Sequence, residues 1–226
     1  MDLQVRALFT HDDHSRLLQV NEPGHAVAAP RFFLGRTSAG NLWRFRADIP
    51  DHVVEELNAL CETEPAGFEP GIAPRHVDAY VALLETHAAV SKFWSGPVYR
   101  FLALQAPSRS LVLVDENNSD LLQGGFEGLA DETIAAQPFV ALLENGRAVS
   151  VCRSVRVTPE VHEAGVETLP EFRGNGYAVE VVVAWARMVQ DAGAAPLYST
   201  SWENTASQAV ANKLNLELFG ADFHVT

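Results

Sequence analysis

The stretch from residue 161 to residue 191 constrains the fold more than any other part of the sequence. Residues 161–169 read as a strand, a loop with two glycines follows, and residues 174–191 have the apolar periodicity of an amphipathic helix. The buried face of that helix is marked by Ala178, Val181, Val182, Trp185 and Val189. A strand that turns directly into a helix is a building unit of α/β sheets, so the pattern predicts an α/β (α+β) fold.

The glycines of this loop also predict a binding site. Gly174 and Gly176 let the backbone approach a ligand closely, and the start of the helix adds a positive partial charge. Such a loop suits a pyrophosphate, although a tight turn without a ligand uses the same residues. A dinucleotide fingerprint is incomplete because Val179 holds its third glycine position, and no Gly-Lys-Ser/Thr follows to make a P-loop.

The rest of the chain predicts a mixed, mostly antiparallel sheet flanked by helices. The pair Asn145-Gly146 lies between two alternating segments and indicates a hairpin of strands 139–143 and 148–157. Further strands are predicted at 31–35, 42–46, 98–104, 111–114 and 197–202, and a final short hairpin around Gly220. Helices are predicted from a cap at Asp51 to Cys61, around 77–84, over about 118–136 and at 205–214, with residues 1–30 partly irregular. We divide the chain into an N-terminal α+β region, 1–105, and a second domain, 106–226.

Composition and charge narrow the function classes. Hydrophobic residues make up 47% of the chain, yet no stretch is long enough to span a membrane and the first residues lack a signal peptide, so we predict a cytoplasmic protein. A net charge of −13 disfavours nucleic acid and anionic membranes as partners and is compatible with a cationic amine. Such an acidic chain must bind a polyanion through local devices, meaning backbone amides, a helix end and a few basic side chains.

No metal site is predicted. Cys61 and Cys152 lie far apart without a second pair, and we interpret Cys152 as a small buried hydrophobe on a core strand. The run from His11 to His14 contains metal-ligand residue types, but its place near a terminus favours a solvated segment.

The loop and the residues after it resemble the GNAT superfamily of acyl-coenzyme A-dependent N-acetyltransferases. Arg173, Gly176 and Ala178 match the core motif Arg/Gln-x-x-Gly-x-Gly/Ala in register, and residues 199–207 look like the second motif, a strand followed by Asn-x-x-Ala/Ser at a helix start. The resemblance covers about residues 110–226. It is closest to the antibiotic-resistance-like branch, whose Glu-x-Gly-x-x-Thr signature is matched by Glu163, Gly165 and Thr168.

The resemblance implies a GNAT-like sheet, acetyl-coenzyme A as cosubstrate and direct transfer of the acetyl group to a primary amine of a small molecule. It implies that backbone groups of Glu167, Thr168 and Leu169 pair with the pantetheine arm as an extra strand would. The same resemblance gives the pyrophosphate to the N–H groups of Arg173, Gly174, Asn175, Gly176, Tyr177 and Ala178. Asn204 and Ser207 would contact the pantetheine or the adenosine side, although Asn204 also reads as the N-cap of the following helix.

The catalytic base is expected on the strand before the loop. Its candidates are Glu163, Glu167 and His162, and strand alternation puts the two glutamates on one face and His162 on the other. Glu163 lies nearest to the family's usual base position. The tyrosine that many members use as general acid is replaced by Ala211, which leaves water, Ser201 or Tyr198 for that role.

Two other functions stay open at this point. A degenerate acyl-coenzyme A sensor without turnover is compatible with the missing tyrosine, and a nucleotide-dependent oxidoreductase is a weaker alternative. Residues 1–105 are expected to shape the acceptor pocket or the interface of a homodimer.

Overall fold

A computed structural model describes residues 1–24 and 26–226 and shows one large sheet that runs through most of the chain. The helices are α1 (Asp2–Leu8), α2 (Asp51–Thr63), α3 (Val77–Glu85), α4 (Tyr177–Asp191) and α5 (Thr205–Lys213). The strands are β1 (Phe9–His11), β2 (Leu17–Val20), β3 (Phe32–Thr37), β4 (Gly40–Phe45), β5 (Phe93–Arg100), β6 (Val112–Leu113), β7 (Phe139–Glu144), β8 (Arg147–Val157), β9 (Val161–Thr168), β10 (Ala195–Ser199) and β11 (Glu217–Val225).

Nine of these strands form the sheet, in the order β4-β3-β11-β5-β10-β9-β8-β7-β6, while β1 and β2 form a separate ribbon. Among its described strand pairs, β9 and β10 run parallel and the others antiparallel. The predicted fold class, a mostly antiparallel sheet flanked by helices, is therefore confirmed. Strand β5 lies between β10 and β11, so residues from the first hundred positions complete the sheet of the second half of the chain.

Strand alternation gives the sheet two faces with different covers. Helix α4 packs on one face against β7, β8 and β9, where Trp185 is fully buried. Helices α2 and α3 cover β3 and β11 through Phe223, on the same face. The opposite face is covered by α1 and the β1–β2 ribbon, with Phe33 and Val161 in contact with them. The candidate site lies at β9 and β10 and includes residues from both faces of the sheet.

The hairpin and the main helices agree with the sequence. Asn145 and Gly146 have φ values of 51° and 80°, as a two-residue turn between antiparallel strands requires. The strand β9, helix α4 and helix α5 occur within a few residues of the predicted bounds.

Three predicted elements were wrong: the helix at 118–136, the strand at 98–104 and the last hairpin. The first thirty positions are partly irregular, as predicted, and also contain α1 and the β1–β2 ribbon, which are short and depend on burial against the sheet, as the full burial of Val5 shows. The region 118–136 contains two 3₁₀ turns in place of a helix, because Gly124 and Gly125 adopt φ values of 87° and 149°. The strand predicted at 98–104 begins at Phe93 and ends at Arg100.

The last predicted hairpin is one strand. Gly220 makes a bulge in β11 opposite β5, and the strand continues because both of its edges are paired, with β3 and with β5. Asp51 is the first residue of α2 and makes no side-chain cap hydrogen bond, since Pro50 holds the N-cap position.

Candidate active site

The parallel strands β9 and β10 part within the sheet and leave a cleft. They pair from Val161 to Glu163 on β9, and β9 then continues to Thr168 with β8 as its only strand partner among the described residues. A cavity of about 670 Å³ lies beside the open edge of this length of β9. Its wall is formed by the end of β9, the loop before α4, the first turn of α4 and one side of α5. Of the residues expected to bind the donor, it includes Glu167, Thr168, Leu169, Arg173, Gly174, Gly176, Tyr177, Ala178, Asn204 and Ser207.

The register of β9 decides which backbone groups face the cleft. The Leu169 N–H donates to the Val149 carbonyl at 3.0 Å, so Leu169 and Glu167 direct their main-chain groups towards β8. By alternation, Val166 and Thr168 direct theirs towards the cleft. The expected strand-like pairing therefore fits Thr168 and has to be corrected for Glu167 and Leu169, whose place is taken by Val166.

The loop before α4 has the open backbone that an anion needs. Gly174 and Gly176 have φ values of 81° and 78°, and a Cβ added to either glycine would meet no atom within 4 Å. Tyr177 and Ala178 begin α4, where backbone N–H groups have no acceptor within the helix. These N–H groups and the positive end of the α4 dipole make a cradle for a phosphate.

Two expected phosphate ligands are less available. The Arg173 N–H donates to the Pro170 carbonyl at 3.3 Å, and its side-chain Nε donates to the Thr168 carbonyl at 3.2 Å. The Asn175 side chain turns back to the Phe172 carbonyl, at 3.1 Å, and does not line the cavity.

On α5, the residues that cap the helix also line the cavity. The Asn204 Oδ1 accepts the Ser207 N–H at 3.0 Å, which confirms the N-cap, and both residues also line the cavity. Sequence reasoning missed Lys213, a cation in the last turn of α5 that faces the same cavity. The available signal was its spacing from Ser207, because residues 207, 210 and 213 follow one another at a spacing of three and share a side of the helix.

No hydroxyl replaces the expected tyrosine at its own position, since Ala211 is fully buried in the core. The nearby Tyr198 hydroxyl hydrogen-bonds to Ser207 Oγ at 2.7 Å, and burial raises the pKa of Tyr198 to about 12. This phenol is therefore protonated at neutral pH, as a general acid must be.

Glu163 differs from the other candidate bases. It lies at the last paired position of β9, is 4% exposed, and accepts a hydrogen bond from the Ser199 hydroxyl. Its Oε2 has no hydrogen-bond partner among the described residues. Burial, with a smaller contribution from Asp222, raises the pKa of Glu163 to about 7, which suits a general base at neutral pH.

His162 and Glu167 have other partners. His162 lies on the α4 face, where its Nδ1 is 2.9 Å from Ser154 Oγ, and burial lowers its pKa. Glu167 lies on the opposite face and accepts from Arg153 at 2.9 Å. The predicted alternation thus holds, and Glu163 is the candidate with a free buried oxygen.

Comparisons of the chain with known proteins point to one family. The family profile described as GNAT acetyltransferase matches residues 112–220. This matched region, just under half of the chain, is similar to GNAT acetyltransferases. It contains β9, the glycine loop, α4 and α5, so the whole cleft lies inside it. No curated protein sequence matches the chain.

Solved GNAT structures share the fold at low sequence identity. A GCN5-related N-acetyltransferase-like protein from Streptococcus suis is 17% identical, with a TM-score of 0.52, over 88% of this chain and 85% of its own. A GNAT acetyltransferase from Novosphingobium aromaticivorans is 16% identical, with a TM-score of 0.47, over 60% of this chain and 65% of its own, just under two thirds. An aminoglycoside N-acetyltransferase, AAC(6')-Iy, solved with CoA, is 24% identical, with a TM-score of 0.41, over 48% of this chain and 91% of its own.

The match to the GNAT acetyltransferase profile supports an acyltransferase that uses acetyl-coenzyme A, and the cleft fits that donor. The open edge of β9 accepts a strand-like arm, and the glycine cradle at α4 accepts a pyrophosphate. Within residues 1–24 and 26–226, no group of three His, Cys, Asp or Glu side chains is placed to hold a metal ion. In the same residues, no helix has both the length and the apolar composition to cross a bilayer.

Proposed function

We propose that this GNAT domain transfers an acetyl group from acetyl-coenzyme A to a primary amine of a small molecule by direct attack. The observation that supports it best is Glu163, a buried carboxylate with a free oxygen at the point where β9 and β10 part. The lining of the donor cleft begins three residues further along β9, at Val166, so the proposed base and the donor site lie on one strand.

The acceptor nitrogen has to lose one proton before the C–N bond forms and a second proton afterwards. Glu163 takes a proton from the acceptor ammonium, and the neutral nitrogen attacks the thioester carbonyl carbon. The C–N bond forms, the C–S bond breaks, and the second nitrogen proton goes to the departing sulfur. The Thr168 N–H, which faces the cleft, donates to the carbonyl oxygen as negative charge develops there.

Leaving-group protonation depends less on a side chain than the other steps. A thiol has an ordinary pKa of about 8.5, so a departing thiolate is only weakly basic at neutral pH. Tyr198, protonated and held by Ser207, and Ser201 are the hydroxyls we propose for this step in place of Ala211.

The Glu163 carboxylate also favours turnover over passive sensing of the donor. A sensor needs the donor cleft alone, whereas burying an unpaired carboxylate is costly and has no use in donor binding. Glu163 is buried on the side of β9 that faces away from α4, where a second substrate would be.

Two measurements test this function in sequence. Acetyl-coenzyme A at a hundredfold excess over its dissociation constant should stabilise the fold by about 2.7 kcal/mol, and NAD at the same excess over that value should not. A panel of primary amines should then release free thiol from acetyl-coenzyme A. Stabilisation without thiol release from any amine would support the sensor, and stabilisation by NAD alone would contradict the donor site.

A further inference from the structure

The face of the sheet opposite α4 contains buried carboxylate oxygens that accept no hydrogen bond from the described residues. Asp222 on β11 is 0% exposed, and neither of its carboxylate oxygens has a hydrogen-bond partner among the described residues. Glu163 Oε2 is buried and unpartnered in the same way. Buried polar atoms without partners are uncommon in folded proteins, and a buried carboxylate is the most costly kind, so this pair calls for an external partner.

The sheet register places a glycine on each side of Asp222. Its neighbours in register are Gly35 on β3 and Gly96 on β5, so neither neighbouring strand sets a side chain directly beside it. At Gly96 the Thr200 carbonyl and the Trp94 ring occupy the place of a side chain, since an added Cβ would approach them within 1.8 and 2.9 Å. The Met1 side chain lies over Gly35 and Gly220, where an added Cβ would approach it within 2.2 and 2.6 Å. Asp222 therefore lies between two glycines at the edge of the area covered by the start of α1.

A third unpartnered group comes from α1. Gln4 is 0% exposed, and neither its Oε1 nor its Nε2 has a hydrogen-bond partner in the described part of the chain. Met1, Gln4 and Ala7 follow one another at a spacing of three and lie on one stripe of α1. Met1 packs over β3 and β11, and Ala7 packs on β9 and β10. Gln4 lies between these two contacts along α1, on the side of the helix that faces the sheet.

The charges at this place point to a cation. The nearest basic group to Asp222 is His224, whose Nε2 is 3.6 Å from Oδ2, beyond hydrogen-bond distance. Arg156, the basic residue nearest to Glu163, is paired with Glu22 at 3.2 Å. A primary ammonium has three N–H donors and one positive charge, and the three groups described here offer it acceptors and two carboxylates.

We propose that Asp222 and Gln4 bind the ammonium group of the acceptor beside Glu163. This inference rests on the proposed function and assigns the acceptor site to the face opposite the donor cleft. Asp222 follows the end of the family match at residue 220, and Gln4 and the two glycines lie in the first 105 residues. The proposed acceptor site thus combines the N-terminal region with the last strand, and residues 112–220 supply the donor site and the base.

The first test separates binding from chemistry. Asp222→Asn keeps the shape and removes the charge, and it should raise KM for the amine by about tenfold or more, as loss of a charged hydrogen bond does. Its kcat and its affinity for acetyl-coenzyme A should stay within about twofold of the wild type. Gln4→Leu should raise KM in the same direction by less, and Asp131→Asn, at an exposed position, serves as the matched control.

A purely structural Asp222 would give a different pattern. The variant would then melt at a lower temperature and lose kcat and coenzyme A affinity together, with KM for the amine unchanged, and the proposal would be overturned. An unchanged KM in a stable variant would overturn it as well, with buried water the remaining partner of these groups.

A second test does not need turnover. Trp94 stacks on His224 with ring centroids 4.7 Å apart, so its fluorescence should report binding of propylammonium chloride near Asp222. Saturable binding that weakens about tenfold in Asp222→Asn, with 1-propanol as the uncharged control, is the expected result. If propylammonium binds but no amine is acetylated, the ammonium site stands and the proposed function fails. If it does not bind to the wild type, the site is wrong even where acetylation is observed.

Discussion

The two sides of β9 are built in different ways. On the donor side, the open strand edge, the glycine loop and the start of α4 come from one continuous stretch that ends at Ala178. On the opposite side, the sheet face that contains Glu163 is covered by α1 from the start of the chain and extends to β11 near its end. The donor side binds through main-chain groups, which any suitable loop offers, whereas the other side depends on three separate segments. A shared cosubstrate can thus be read locally, and an acceptor site cannot.

The largest effect should come from the base that lies between the two sides. Glu163→Gln keeps the size and the contact with Ser199 but cannot take a proton, so kcat should fall about 100-fold or more with coenzyme A affinity unchanged. Wild-type activity should rise with pH through about 7, as Glu163 ionises. Steady-state rates from pH 6 to 10 check both expectations.

The loss of kcat in Glu163→Gln should depend on pH. Above the pKa of the acceptor the amine is already neutral, so the difference between variant and wild type should shrink there. Glu167→Gln is the matched control, since Arg153 already holds that carboxylate. A rise in acceptor KM with unchanged kcat would make Glu163 an ammonium ligand in place of a base.

Glu163→Gln should lower activity but raise the stability of the fold at high pH. The pKa of Glu163 rises from 4.5 to about 7 on folding, so its stabilising contribution is present below pH 4.5 and is lost as pH rises through 7. Glu163→Gln should therefore unfold like the wild type near pH 4.5 and be more stable above pH 8, by on the order of 3 kcal/mol.

Denaturant unfolding at the two pH values measures this difference. Glu167→Gln, whose side chain is 50% exposed, should differ from the wild type by less than about 1 kcal/mol at both. Equal stability of Glu163→Gln and the wild type at pH 9 would mean that Glu163 is better solvated than its position in β9 indicates.

A substitution at one glycine should weaken coenzyme A binding on the donor side. Gly176→Val places a β-branched residue at a φ of 78° and fills the open space of the cradle, so the affinity for coenzyme A should fall about tenfold to a hundredfold. Gly193→Val is the control, since Gly193 has a φ of 88° and equally open space at the other end of α4. Both should destabilise the fold similarly, and calorimetric titration should show loss of binding in the first variant alone.

The smallest effect should come from Asn204. Asn204→Ala removes the hydrogen bond to the Ser207 N–H and should cost about 1 kcal/mol of stability. If Asn204 is a cap alone, the affinity of the folded protein for coenzyme A stays the same. A several-fold loss of affinity, compared with Thr205→Ala at the next position, would show that the cap also contacts the donor.

Much of the fold follows from local patterns, with failures where an element depends on distant partners. The hairpin at Asn145-Gly146 and helix α4 have strong local signals, in turn conformation and in apolar periodicity. Strand β11 was misread because Gly220 suggests a turn, and pairing on both edges makes it a bulge. Helix α1 has only seven residues, too few to be stable without the sheet beneath it.

By itself, the sequence determined the donor side: the strand, the glycine loop and the helix are neighbours along the chain, and their spacing fixes a cradle of N–H groups wherever the segment folds. It also limited the base to three residues of one strand. Tertiary structure favours Glu163 among them, because the burial of Glu163, the pairing of Glu167 with Arg153 and the position of His162 against α4 depend on other elements. Asp222 and Gln4 show the same limit, since the cost of a buried charge is set by what surrounds it, and the register of β3, β11 and β5 sets those surroundings.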